Sequence, residues 1–186
     1  MVALVQLWLP ILTSAVAVFV LSSLVHMVFK WHNSDYRALP NEEEVRAIVQ
    51  KNDPAPGEYL LPYCPGAETA RTPEFQQKFR DGPVGMLVLR RRGAPDMGKM
   101  LGLWFLYVLA VNLVAAYLAT RAFPSGAAGL GIFRLTSTVV FLAYVGGSVQ
   151  NGIWMGKPWR SVAKDVLDGA IYALATGAVF YWLWPQ

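Results

Sequence analysis

Residues 4–29 read LVQLWLPILTSAVAVFVLSSLVHMVF, and this stretch decides the fold. It carries no Asp, Glu, Lys or Arg, and Lys30 closes it. A ~30 Å hydrocarbon core needs about 20 apolar residues at a rise of ~1.5 Å each, and the stretch exceeds that requirement. Met1 to Pro10 holds no Lys or Arg, whereas a secretory leader opens on a basic region and has a shorter apolar run. The segment is therefore read as a retained span.

Three further stretches repeat the pattern. Residues 100–122 lie between Lys99 and Arg121, and residues 162–184 are closed by Pro185. The run from Leu135 to Val149 is only 15 residues long. It reaches spanning length if it begins near Gly129, with Arg134 one turn inside and its aliphatic stem carrying the charge back to the headgroups. The expected organisation is thus a first span at 4–29, a polar segment at 30–99, spans at 100–122, 129–150 and 162–184, and a polar connection at 151–161. The fold class is an all-α integral membrane protein with four transmembrane helices.

Composition agrees. The chain has 186 residues, 55% of them hydrophobic, with a mean hydropathy of +0.37. These residues are gathered into blocks, where a soluble domain would interleave them with polar positions. Trp8, Trp182 and Trp184 fall near one set of span ends and Trp31, Trp104, Trp154 and Trp159 near the other, as indole at the headgroup level predicts. Trp154 and Trp159 are candidate lipid or partner contacts.

The net charge of +4 does not point to nucleic acid, because the basic residues sit beside span ends while ten acids are mixed into the polar middle segment. Lys30, Arg37, Arg90, Arg91, Arg92, Lys99, Lys157, Arg160 and Lys164 flank one side, and only Arg121 and Arg134 the other. Nine against two predicts a bacterial inner-membrane protein with residues 30–99 in the cytoplasm and both termini outside. Arg90, Arg91 and Arg92 keep this segment inside and are also candidates for contact with anionic lipid or a partner. Cys64 is the only cysteine, so no internal disulfide and no cysteine-rich metal site is expected.

Residues 31–98 carry their own signals. Asn41 before Glu42-Glu43-Glu44 predicts a capped helix with Val45, Ile48 and Val49 on one face. Thr72-Pro73-Glu74 predicts a second helix start, with Phe75 and Phe79 sharing a face and Gly82-Pro83 as the stop. Glu58–Leu61 and Val84–Leu89 are candidate paired strands. The apolar content is thin for a free-standing domain, so this segment is expected to lean on the membrane surface or a partner.

Among polar groups within the spans, Asp165 and Asp168 are three apart and share a helical face that Tyr172 continues. Acids at membrane depth often mark an ion or proton path. The structural alternative has Ser161 capping this helix, with Arg160, Lys164 or water pairing with the acids. His26 and His32 are six residues apart, about 240° around a helix axis, and so are expected on different sides. That separation argues against a two-histidine haem or metal site within one chain, and it leaves His26 as a candidate hydrogen-bonding group. Asn112, Tyr117, Thr136, Thr138 and Thr176 are expected to bond across helices. Gly169, Ala173 and Gly177 form a small-residue stripe for close packing, in this bundle or against a partner. No phosphate-binding loop, zinc spacing or nucleophile elbow is present, so no catalytic residue, metal ligand or intrinsic cofactor is expected.

The residues Asn151, Trp154, Gly156, Trp159, Lys164-Asp165, Asp168-Gly169, Tyr172 and Trp182-Leu183-Trp184-Pro185, with Trp8-Leu9-Pro10 and Pro40-Asn41-Glu42, resemble a group of small inner-membrane proteins of bacteria. That resemblance implies four spans and no particular chemistry. The leading expectation is an accessory or structural subunit, with the lipid bilayer and other membrane subunits as partners. The alternatives are a small transporter or channel with Asp165, Asp168 and Tyr172 at its cytoplasmic mouth, and a membrane-embedded redox or other enzyme using His26.

Overall fold

A computed structural model describes residues 2–186. In chain order the elements are α1 (Trp8–Ser23), α2 (Glu42–Lys51), β1 (Gly57–Leu61), α3 (Ala67–Ala70), α4 (Pro73–Asp81), β2 (Gly85–Leu89), α5 (Met97–Ala122), α6 (Gly129–Trp154) and α7 (Trp159–Leu183). They form two compact units. One holds the chain up to Tyr36 together with Pro95–Gln186, and the other is Arg37–Ala94.

The first unit contains four helices long and apolar enough to cross a membrane: Leu4–Phe29, Met97–Ala122, Gly129–Trp154 and Trp159–Leu183. The expected spans coincide with them to within a few residues. The third helix is 26 residues long, because helical hydrogen bonding continues past Val149 until Gly156 turns the chain at φ 71°. Around α1, a 3-10 turn over Leu4–Leu7 leads in and a π-helical turn over Leu24–Phe29 leads out.

Each of the four helices packs against two others in the cyclic order α1, α5, α6, α7. Towards one end of the bundle Leu7, Ile11, Ala116, Ala119, Ile132 and Phe180 form a buried cluster with Trp184. Nearer the other end Ala15, Val18, Val108 and Tyr172 meet, and Val111, Ala115, Val140 and Ala173 form a third cluster. The small-residue stripe serves packing inside the bundle. A Cβ on Gly169 would lie 2.5 Å from Cγ2 of Val145, and one on Gly177 would collide with Ser137 and Phe133, so α6 and α7 approach as closely as only glycine permits.

Several local expectations are corrected. Helix α7 begins at Trp159, and Ser161 lies inside its first turn with its N–H donating to the Pro158 carbonyl at 2.8 Å, so Ser161 is not the cap. Asn112, Thr136 and Thr138 do not bond across helices. Their side chains donate to the carbonyls of Val108, Ile132 and Arg134, four residues back on their own helices, a local route open wherever a carbonyl lies within reach. The tryptophans also divide. Trp8, Trp154, Trp159 and Trp182 are exposed as a belt would be, whereas Trp184 is buried and its indole donates to Pro124 at 3.0 Å.

In the second unit β1 and β2 pair antiparallel, with Tyr59 opposite Leu87. The Thr72 hydroxyl accepts the Phe75 N–H at the start of α4, as expected of a cap. Asn41 does not cap with its side chain, because its backbone is left-handed at φ 56°. The Phe75 ring is buried against Phe79, with centroids 5.1 Å apart, and it is the one buried hydrophobic side chain among the described residues of this unit. A groove of about 710 Å³ runs along α2, lined by Val45, Arg46, Val49 and Arg90–Arg92. Arg92 pairs there with Asp53 at 2.5 Å.

Candidate functional site

The site is built where the first helix ends. The π-helical turn closes with the Lys30 N–H donating to the Val25 carbonyl at 3.1 Å, and Lys30 itself adopts left-handed φ 53°. That reversal stops the helix. The next residues, Trp31–Asp35, wind into a 3-10 turn that folds back towards the helix end. His32 therefore comes to lie on His26, with rings 4.8 Å apart and only 7° from parallel. The expectation that the two histidines face different sides is overturned, because it extended one helical phase through a residue that breaks the helix.

Lys164 on α7 fixes the 3-10 turn. Its Nζ donates to the Trp31 carbonyl at 2.7 Å, the Ser34 hydroxyl at 2.9 Å and Asp35 Oδ1 at 2.6 Å. The Lys164 ammonium holds the Asp35 carboxyl down at a pKa of about 2, against burial, with His32 and Ser161 also lowering it. Asp35 in turn lies 2.9 Å from Nδ1 of His32, through its Oδ2. The other ring nitrogen of His32, Nε2, lies 2.8 Å from Oδ2 of Asp168. His26 Nε2 faces the same oxygen at 3.9 Å, while its Nδ1 sits 2.9 Å from the Ser22 carbonyl.

The hydrogen positions follow from the partners. A backbone carbonyl only accepts, so Nδ1 of His26 carries a proton, and in the neutral ring Nε2 presents a lone pair. His32 has a carboxylate at each ring nitrogen, and a neutral imidazole has one N–H to give. With Nδ1–H donated to Asp35, a second proton or another cation has to stand between Nε2 and Asp168. Asp168 itself is 5% exposed, and its second oxygen, Oδ1, has no hydrogen-bond partner among the described residues.

Asp165 has a different environment. It accepts from the Lys157 ammonium and from the Ser148 hydroxyl, so it is neutralised within the connection that the sequence assigned to flanking charge. Neither acid pairs with Arg160 or Lys164 in the way the structural alternative expected. Lys164 is committed to Asp35.

Both acids face a cavity of about 600 Å³, within the range of small-molecule sites. All four long helices contribute to its wall: Ser22 and His26 from the first, Trp104 and Tyr107 from α5, Tyr144 and Ser148 from α6, Asp168 and Tyr172 from α7. The four aromatic rings form one stacked and edge-on group, with Tyr144 and Tyr172 centroids 5.4 Å apart. The Trp104 indole is anchored to Ser22 at 2.9 Å and Tyr107 to the Ala143 carbonyl at 3.0 Å. The hydroxyls of Tyr144 and Tyr172 have no hydrogen-bond partner among the described residues.

Nothing among protein families, curated proteins or solved structures matches this chain. Its chemistry is read from the geometry alone.

The structure brings together His26, Asp165, Asp168 and Tyr172, all singled out by the sequence, around one cavity. Gly169 also borders the cavity, but Ala173 and Gly177 do not line it. Arg90, Arg91 and Arg92 belong to the groove of the other unit. Sequence reasoning missed Asp35, Lys157, Tyr144 and the partnership of His32. For His32 a signal existed: Asn33-Ser34-Asp35 is a run of turn formers that begins three residues after Lys30, where the apolar stretch stops. No spacing rule could have found Tyr144 or Lys157, whose places depend on how the helices assemble.

Proposed function

We propose that this chain is a multi-pass protein of the bacterial inner membrane that takes a small polar solute into its four-helix bundle and carries it across, as a small transporter. One observation supports this above the others: a cavity walled by all four helices sets the polar side chains of His26, Ser148, Asn151 and Asp165 beside apolar aromatic faces. A purely structural subunit has no use for such a cavity. The rings of Trp104, Tyr107, Tyr144 and Tyr172 suit the apolar or cationic face of a solute, while His26, Ser148, Asn151 and Asp165 suit its polar end. The distribution of basic residues supports a cytoplasmic mouth.

The test works with an unidentified solute. Proteoliposomes carrying the full chain are incubated with a total small-molecule extract, and their contents are compared by mass spectrometry with protein-free vesicles. One or more solutes should accumulate with the wild type and not with Asp168→Asn. Identical contents in all three preparations would remove the transporter reading.

The accessory-subunit reading draws on a separate observation. In the second unit Leu60, Leu61, Tyr63, Val84 and Val88 are all exposed, and Phe75 is the one buried hydrophobic side chain among its described residues, an amount of uncovered apolar surface that favours a partner or a membrane surface. Purification in mild detergent followed by mass spectrometry tests it. Stoichiometric larger subunits support the reading, and a chain that migrates alone opposes it.

A further inference from the structure

We infer that His26, His32 and Asp168 form a binding site for one divalent transition-metal ion on the wall of the cavity. The inference stands on the side-chain geometry and holds whether or not the cavity carries a solute.

Three donor groups meet. One ring nitrogen of His26, one of His32 and a carboxylate oxygen of Asp168 all lie within 4.8 Å of one another, and the nitrogen that faces Asp168 is Nε2 in both rings. Bonds of about 2.0–2.1 Å in a tetrahedral arrangement place neighbouring donor atoms about 3.3 Å apart. The separations of 2.8 Å and 3.9 Å to Asp168 Oδ2 stand on either side of that value. Because the two stacked rings lie 7° from parallel, their in-plane lone pairs do not meet at one point, and His26, whose side chain is 53% exposed, turns its ring out of the stack to complete the site.

The groups behind these ligands are those a metal site requires. A ligating histidine generally gives its other N–H to a carbonyl or carboxylate, which fixes the tautomer and the ring orientation. Here Nδ1 of His26 has the Ser22 carbonyl and Nδ1 of His32 has Asp35, itself held by Lys164. Both imidazoles therefore turn Nε2 inward. Asp168 supplies the negative charge and retains an unpartnered second oxygen in a buried position. Two imidazoles with one carboxylate and no thiolate select the zinc and ferrous-iron class of ions over magnesium or calcium, which prefer all-oxygen sets. Three protein ligands leave at least one coordination position open to the cavity, where water or a solute oxygen completes the shell.

The only competitor for this position on the same geometry is a proton shared between His32 and Asp168, and the experiment separates the two. The full chain, in lipid nanodiscs with its affinity tag removed, is stripped with chelator and titrated with cobalt(II), then separately with zinc(II) and magnesium(II). Expected are one equivalent of cobalt with visible d–d absorption, its displacement by zinc, and no response to magnesium. His26→Ala, His32→Ala and Asp168→Asn should each abolish the stoichiometric signal, and Asp35→Asn should weaken it by about 10–100-fold. Each variant is first checked for a wild-type elution profile. Because His26 is the most exposed ligand, its variant keeps the test decisive if the buried substitutions disturb folding. A wild-type protein that takes up no stoichiometric cobalt, or cobalt binding unchanged by His26→Ala and His32→Ala, overturns the site and leaves the proton as its occupant. Solute uptake can fail in the transport assay while cobalt binding persists, so the two proposals fail separately.

Discussion

Replacing Gly169 by alanine adds one methyl group at the tightest point between α6 and α7. The new carbon would sit 2.5 Å from Cγ2 of Val145 and 3.5 Å from Cβ of Tyr144. Val145 is buried and β-branched, so within a helix it has one strongly preferred rotamer and cannot swing aside. The helices have to part instead, and overpacking of this kind costs about 1–3 kcal/mol. Against this stands the helix propensity of alanine over glycine, worth up to ~1 kcal/mol. The net expectation is a loss of up to about 2 kcal/mol, and a clear loss relative to the control below. Gly102 on α5 supplies the control, because a Cβ there meets nothing within 4 Å. The same substitution at Gly102 carries only the propensity gain and should leave stability unchanged or raise it by up to ~1 kcal/mol. The assay is reversible unfolding in mixed micelles with increasing dodecyl sulfate, followed by the helical circular dichroism signal. The reasoning is refuted if Gly169→Ala is as stable as Gly102→Ala, or more stable.

Two further outcomes follow from the geometry. Lys164→Met removes all three bonds that hold Trp31–Asp35, so cobalt affinity should fall by about 10-fold or more through loss of His32 positioning; titration of the stripped protein measures it, and unchanged affinity would show that the turn holds itself. With Cys64 replaced by serine, a single cysteine at Asn151, which borders the cavity, should react with a membrane-impermeant maleimide in inverted vesicles and not in intact spheroplasts, and one at Ser125 should do the reverse; exchanged labelling would invert the proposed orientation.

The long helices were legible in the sequence because length and apolarity are properties of a single segment. Even Arg134, which made the third stretch look short, does not interrupt α6, as a long aliphatic stem allows. The shared face of Asp165, Asp168 and Tyr172 was legible for the same reason, since i, i+3 and i+4 neighbours are fixed by one helix. What spacing could not supply was any pairing between elements. Lys164 and Asp35 are 129 residues apart and His32 and Asp168 are 136 apart, and each pair meets only because α7 packs beside the first helix. The error over His26 and His32 was of another kind. A rotation of about 100° per residue holds only while the helix continues, and the chain leaves that phase at the π-helical turn and at Lys30. Hydroxyl groups were misjudged because a helix offers its own carbonyls as acceptors one turn back, which makes a partner on another helix unnecessary.

The two acids of α7 differ in how their charge is met. They share a face and a cavity, yet their electrostatic situations differ in kind. Asp165 has a permanent cation in Lys157 and a hydroxyl donor in Ser148, so its charge is neutralised by the chain itself. Asp168 is more deeply buried and has two imidazoles in place of an ammonium. An uncompensated buried carboxylate costs several kcal/mol even after the surroundings relax. Two neutral imidazoles facing it with lone pairs would add to that cost. The balance is restored only when a positive charge enters between them, whether a proton taken up between Asp168 and His32 or a metal ion held by both rings. Asp165 is neutralised by the chain itself, whereas Asp168 is the acid for which the proposed ion would supply the positive charge.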